Sequence, residues 1–363
     1  MAAFSQRKRG VGLHNKATAK ATLRNNKRPR KKHWSSLDCS SFAADHNDGT
    51  FLADIELKNT QSYRLASHDP QEDCPISADI HRYGCYECHV LYPLIRALED
   101  ESSKANPTQQ PAMIDIGANI GLYGLTAAYS LGIPAYLIEP AKVNQDRICE
   151  TVCANENSRD NLVTVFKAAA VDPETRKGGE TLQLTGTNDL NKGGIVVGGV
   201  QSAQPNDRRD KVEGIDFART LTLAELDKAG QLPISGSTIV LKVDVEGNEC
   251  SALEGAMEYL RSVKIVYCAI ELSQERLRRC KDQVRQELFA LLESNGLKPY
   301  QAMLNSTTHP TGWKELNSEE WENWIWHAPN RKRPDKALFD VAWSKTKPKL
   351  EGPIVAKIDP KRC

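Results

Sequence analysis

The chain has 363 residues, 40% of them apolar and 26% charged, a profile that excludes a fibrous or wholly disordered protein. No stretch approaches the roughly 18–20 unbroken apolar residues of a membrane span, and the first residues lack the apolar core of a secretory signal. The net charge of +1 conceals an asymmetry: residues 1–33 hold eleven Lys or Arg and no Asp or Glu, leaving 37 basic against 47 acidic residues, net −10, in the remainder.

A disordered basic arm is expected over residues 1–45, because its acid-free first 33 residues, poor in aromatic and branched apolar side chains, cannot bury enough surface to fold. Four uses compete for it: an import signal around residues 27–32, an organelle transit peptide, an arm touching RNA or an anionic surface, and a solvated tail with no specific role. Residues 46–110 read as a cap or substrate region, with a strand over 51–57 and a helix over 87–98. In that helix Val90, Leu91, Leu94, Ile95 and Leu98 recur at helical spacing and make one apolar face. The polar, proline-bearing stretch 102–111 is a loop.

From 111 to 304 strand and helix alternate: strand 112–116, a glycine turn 117–121, helix 122–131 ended by Gly132 and Pro134, and strand 135–138 closing on Glu139. Helix 146–155, strand 162–166, strand 237–243, helix 250–261, strand 265–270 and helix 284–294, stopped by Gly296, continue the pattern. Continuous apolar strands belong to a sheet covered on both faces. The expected fold class is therefore α/β, a doubly wound, mostly parallel, Rossmann-like sheet with N- and C-terminal extensions. Residues 186–214 are too polar and too long for a tight connection and are read as an insertion carrying a hairpin around 193–200. Residues 305–363 form a Trp-rich extension that fits no further crossover unit.

Two constellations carry chemistry. In the first, Asp115, Gly117, Asn119 and Gly121 occupy a strand-to-helix turn, where glycines let a ligand approach the backbone and the helix start offers free N–H groups. Glu139 closes the next strand, where a carboxylate can accept both hydroxyls of a ribose. An acid opening the turn, in place of the first glycine of a dinucleotide motif, leans toward S-adenosylmethionine. In the second constellation, Lys242, Asp244 and Glu246 fall on one side of a strand whose other side is Val243 and Val245. Charges gathered at the end of a buried strand are expensive unless used or paired. A purely local reading pairs Lys242 with Asp244 and sets Glu246 or Glu249 at the start of the following helix.

The segments MIDIGANIGLYGLTAA, IEP with Asn144 and Asn155 downstream, TLAELD, and VLKVDVEGNECSALEGA together resemble the FkbM-type class I methyltransferases, over residues 111–273. The resemblance implies a seven-stranded sheet that binds S-adenosylmethionine and O-methylates a hydroxyl on a saccharide, polyketide or other small molecule. By its pattern Asp115, Gly117, Asn119 and Gly121 match the methionine-side loop, Glu139 the ribose acid, and Asp244 and Glu246 the catalytic carboxylates at the mouth. The alternatives are an RNA methyltransferase guided by the basic arm, against which the acidic body stands, and an inactive adapter that keeps the fold.

Other signals weigh less. Cys85, Cys88 and His89, with Cys74 and His81, could ligate zinc, but their spacing is irregular and a metal is not expected. The ten cysteines read as reduced thiols of an intracellular protein, cytoplasmic unless residues 1–33 direct it to nucleus or organelle; Cys149 and Cys153 read as packing. Trp313, Trp321, Trp324 and Trp326 read as a core patch more than a stacking wall, and His309 and His327 as weak candidate bases.

Overall fold

The computed structural model describes residues 51–348 apart from 58–59, 74–75, 107–108, 156–158, 179–180, 189–190, 198–215, 273–279, 305–309 and 317–338. The basic arm, most of the 186–214 insertion, Cys74, Trp321, Trp324, Trp326, His309 and His327 lie outside the described residues.

Strands β1 (Phe51–Ile55) and β2 (Tyr63–Ser67) form an antiparallel hairpin in which Ala53 faces Leu65. Helices α1 (Ser77–Tyr83) and α2 (Cys88–Lys104) follow, and α2 buries the face that the apolar spacing predicts. Next come β3 (Ala112–Ile116), α3 (Leu122–Thr126) with a π turn through Leu131, β4 (Ala135–Ile138), α4 (Lys142–Ala154) and β5 (Val163–Phe166). The hairpin β1–β2 is tied to α4 by side chains: Thr151 Oγ1 accepts from the Ala66 N–H at 2.8 Å, and Asn155 Oδ1 from the Arg64 N–H at 2.8 Å.

A smaller sheet is built from β6 (Ala169–Ala170), β7 (Thr181–Asn188), β8 (Asn191–Val197) and β9 (Asp216–Leu221), with α5 (Pro173–Gly178) between the first two. The hairpin expected around 193–200 is thus β7–β8, displaced toward the N-terminus. The chain returns to the main sheet through α6 (Leu223–Lys228), β10 (Thr238–Val243), α7 (Glu249–Leu260), β11 (Lys264–Leu272), α8 (Asp282–Ser294), β12 (Lys298–Leu304), β13 (Pro310–Glu315) and β14 (Phe339–Ser344).

Among the described residues the main sheet has eight strands, ordered β13-β12-β14-β11-β10-β3-β4-β5, where the resemblance implied seven. β11, β10, β3, β4 and β5 run parallel, each buried along nearly its whole length, as continuous apolar strands require. β14 enters antiparallel between β11 and β12, and β13 pairs antiparallel with β12 at the edge. Trp313 is buried, as a core patch predicts.

The reading of the cysteines as reduced thiols is corrected at two pairs. Cys85 joins Cys88 and Cys250 joins Cys280 in disulfides, with Cα–Cα distances of 5.6 and 5.2 Å. Cys85 lies three residues before Cys88, on which α2 opens, and the short link between them brings the two sulfurs together. Cys149, Cys153 and Cys268 belong to neither crosslink. No described helix is long and apolar enough to cross a membrane.

Candidate active site at the strand switch point

The strand order turns back at β3 and β10: β3 leads by its crossover to β4 on one side, while β10 lies on the other and leads to β11. Open α/β sheets keep their ligand crevice at the carboxyl ends of such a pair. Asp115 and Lys242 stand opposite each other in register there. The chain leaving β3 then touches the chain leaving β10. Asp244 N–H donates to the Ile116 carbonyl at 2.9 Å, and a Cβ on Gly117 (φ 80°) would lie 1.7 Å from the Asp244 carbonyl oxygen. Only glycine admits that approach. Asn119 (φ 54°) and Gly121 (φ 87°) complete the turn in left-handed conformations.

Asp115 is fully buried, with Oδ2 accepting from the Gly124 N–H at 3.1 Å. Burial pushes its carboxyl up to about 6, against the downward pull of Lys242. Its Oδ1 is buried without a hydrogen-bond partner, and so is Oδ1 of Asn119. Two orphaned acceptors beside a glycine turn suit a ligand that brings donors or positive charge. Glu139, at the end of β4, accepts from the N–H groups of Asn119 at 2.8 Å and Ala141 at 2.9 Å, with the Asn144 amide at 3.4 Å. Burial raises it to about 7 despite those donors.

Lys242 is buried, donates to Asp244 Oδ2 at 3.0 Å, and places its ammonium 4.6 Å from the centroid of the Tyr123 ring. Burial pulls its pKa down, but Asp244, Asp115 and Glu87 outweigh it, so the ammonium is held above its ordinary range. The Tyr123 hydroxyl donates to Glu87 Oε2 at 3.0 Å. Past Asp244, Glu246 turns in a left-handed conformation (φ 53°), beyond the strand on which period-two alternation placed it. Glu249, fully buried at the first position of α7, accepts from the Gly247 N–H at 2.9 Å, two residues before the helix. Carboxylate oxygens of Asp244, Glu249 and Glu271 lie within 4.8 Å of one another, a set of hard oxygen donors of the kind divalent cations take.

Asp115, Gly117, Asn119, Gly121, Glu139, Lys242 and Asp244 thus come together at the carboxyl ends of β3, β4 and β10, whereas Glu246 is not in the group of Asp244, Glu249 and Glu271. Sequence reasoning missed Glu271, Tyr123 and Glu87. Glu271 is the acid that ends the apolar run of β11, in the position Glu139 holds on β4, and the same rule would have found it. Tyr123 and Glu87 carry no such signal, since they meet across 36 residues of chain.

The five parallel strands, with charged residues at the switch point between β3 and β10, place the domain in the doubly wound α/β class. The family model of the Methyltransferase FkbM domain matches residues 115–297, half of the chain, and the chain belongs to that family. No curated protein matches it. Solved structures it is similar to include the METTL16 methyltransferase domain, at 13% identity and TM-score 0.31, covering 70% of this chain. The chain spans 66% of that domain's length. The human methyltransferase 10 domain containing protein matches at 12% identity and TM-score 0.33, covering 77% of this chain and 96% of that one. The precorrin-6y C5,15-methyltransferase of Geobacter metallireducens GS-15 matches at 10% identity and TM-score 0.31, covering 76% and 96%.

Proposed function

We propose that the protein is an S-adenosylmethionine-dependent methyltransferase that methylates a hydroxyl on a small molecule or saccharide. The observation that carries the reading is the pair of unsatisfied buried acceptors, Asp115 Oδ1 and Asn119 Oδ1, beside the Gly117 turn and within electrostatic reach of Glu139. Glu139 suits the two ribose hydroxyls, and Asp115 with Asn119 suits the ammonium end of the methionine moiety. Bound there, S-adenosylmethionine supplies a methyl group already activated on a sulfonium.

The chain's own work is to hold an acceptor in line, exclude water and take its proton. Asp244 is assigned as that base: it accepts from the Lys242 ammonium at 3.0 Å, and carboxylate oxygens of Glu249 and Glu271 lie within 4.8 Å of its own, so three acceptors stand where the hydroxyl releases its proton. Glu246, two residues further along the same loop, is assigned to the acceptor side. The partner is thus a hydroxylated small molecule or saccharide, with RNA as the alternative acceptor.

Calorimetry with S-adenosylmethionine and S-adenosylhomocysteine, and NAD as control, tests the reading. Micromolar binding of the two sulfur nucleosides without NAD supports it, and a screen of saccharides, hydroxylated metabolites and RNA then identifies the acceptor. Binding of NAD alone, or of none, overturns it and favours the adapter.

A further inference from the structure

Glu87 lies between the two cysteines of a Cys-x-x-Cys pair, outside both constellations that define the site. It is the residue before α2, and its carbonyl accepts from the Val90 N–H at 2.7 Å and the Leu91 N–H at 3.1 Å. The residue in that position ordinarily takes an extended conformation. Glu87 instead holds φ 46°, ψ 50°, a left-handed conformation that a side chain disfavours. The crosslink across it closes the turn in which this conformation occurs.

The conformation has a consequence at the site. It lets the Glu87 carboxylate reach the hydroxyl of Tyr123, at 3.0 Å, while the Tyr123 ring carries the ammonium of Lys242 on its face. Glu87, Tyr123, Lys242 and Asp244 form one chain of contacts, which runs from the disulfide to the assigned base. We propose that Cys85–Cys88 is a redox-active disulfide, open to exchange with a cellular dithiol, and that its closure positions Glu87 as a counter-charge to Lys242 in the cofactor crevice. The inference rests on the methyltransferase reading.

The two sulfurs are unequal in the way exchange requires. Cys85 is 2% exposed, whereas Cys88 is only half-buried, so the attack falls on Cys88. A thiolate of the dithiol attacks Cys88 Sγ and the Cys85–Cys88 bond breaks. Cys85 leaves as a thiolate, faced by the Tyr92 hydroxyl at 3.7 Å, and takes a proton. The second thiol of the reductant then displaces Cys88 from the mixed disulfide. Two electrons and two protons pass to the protein, and the reductant leaves as its own disulfide. With the crosslink open, Glu87 relaxes from the left-handed conformation and its charge is withdrawn from Lys242. The crevice becomes more positive, which opposes a sulfonium more than a neutral thioether.

Titration of the full chain with S-adenosylmethionine and S-adenosylhomocysteine, oxidised and after dithiothreitol, reads this directly. Reduction is expected to weaken S-adenosylmethionine binding roughly fivefold or more, and S-adenosylhomocysteine binding less. The Cys85→Ser/Cys88→Ser protein should show the reduced-state ratio under both conditions, and Cys250→Ser/Cys280→Ser should keep the wild-type response. Glu87→Gln, which retains an acceptor for Tyr123 without the charge, should remove the response with the disulfide intact. Equal ratios in oxidised and reduced wild type, or a response that survives in Cys85→Ser/Cys88→Ser, would overturn the proposal. Hydrogen exchange over residues 84–92 and 122–124 needs no ligand: faster exchange on reduction supports the switch, and unchanged exchange sinks it. Absence of binding in both states condemns the methyltransferase reading instead, and the exchange result separates the two failures.

Discussion

Two carboxyls with raised pKa values give the site opposite pH dependences with and without ligand. Asp115, up to about 6 from 3.8, and Glu139, up to about 7 from 4.5, both bind protons more readily folded than unfolded. Their contribution to stability is therefore fully present below the unfolded values and is lost as pH rises through the folded ones. The urea midpoint of the ligand-free protein should fall between about pH 4 and about pH 7 from these groups and level off above, and Glu139→Gln should flatten the fall. Ligand binding runs the other way. A Glu139 carboxylate that accepts ribose hydroxyls must be ionised, so S-adenosylhomocysteine should bind more tightly as pH rises over the same window, with proton release seen as a buffer-dependent heat. Pairwise loops give a second test. Gly117→Ala sets a methyl group against the Asp244 carbonyl and forces the two loops apart, which should cost about 3 kcal/mol in thermal or urea unfolding and weaken S-adenosylhomocysteine binding. Wild-type stability and affinity in that variant would contradict the close approach.

Among the elements, those with a continuous apolar run were legible to within a residue or two. β3 and β4 fall where expected, because buried parallel strands bounded by glycine and proline leave little choice of register. Helix α3 changes to a π turn at Ala127, which apolar periodicity does not register. The start of α6 was named only as part of the TLAELD segment, yet it holds a complete capping box: Glu225 N–H donates to Thr222 Oγ1 at 3.2 Å, and Thr222 N–H to Glu225 Oε2 at 2.9 Å. Thr222→Ala should therefore lower stability by about 1 kcal/mol while leaving S-adenosylhomocysteine affinity unchanged. A loss of affinity in that variant would show that α6 transmits to the crevice. What the sequence could not show at this scale was which strands sit side by side. Glu87 and Tyr123 meet only because α2 and α3 both pack on the sheet, and the disulfide partners Cys250 and Cys280 meet only because α7 and α8 are neighbours.

For the whole molecule, the C-terminal strands close the sheet. β14 begins at Phe339, yet it fills the slot between β11 and β12, pairing Ala269 with Ala342 on one side and Tyr300 with Ala342 on the other. Trp343 is fully buried from that strand and stacks on Phe289 of α8 at 5.5 Å. The residues past 304 looked peripheral because an antiparallel strand inserted last leaves no crossover pattern in the sequence. Without β14, β11 and β12 would each present an unpaired edge beside an emptied layer of core, a state that favours association over folding. A chain ending at Leu316 should therefore lack a cooperative urea transition and aggregate, and Trp343→Ala alone should cost about 4 kcal/mol. The Cys250–Cys280 crosslink, closing 30 residues, should add about 3 to 4 kcal/mol to the same half of the sheet, read as the drop in urea midpoint of Cys250→Ser/Cys280→Ser. If the chain ending at Leu316 unfolded cooperatively at the wild-type midpoint, β14 would be an appendage to a sheet that stands on its own. Loss of the transition there, with the crosslink variant still folded, would show that the sheet completes only when its last strand arrives.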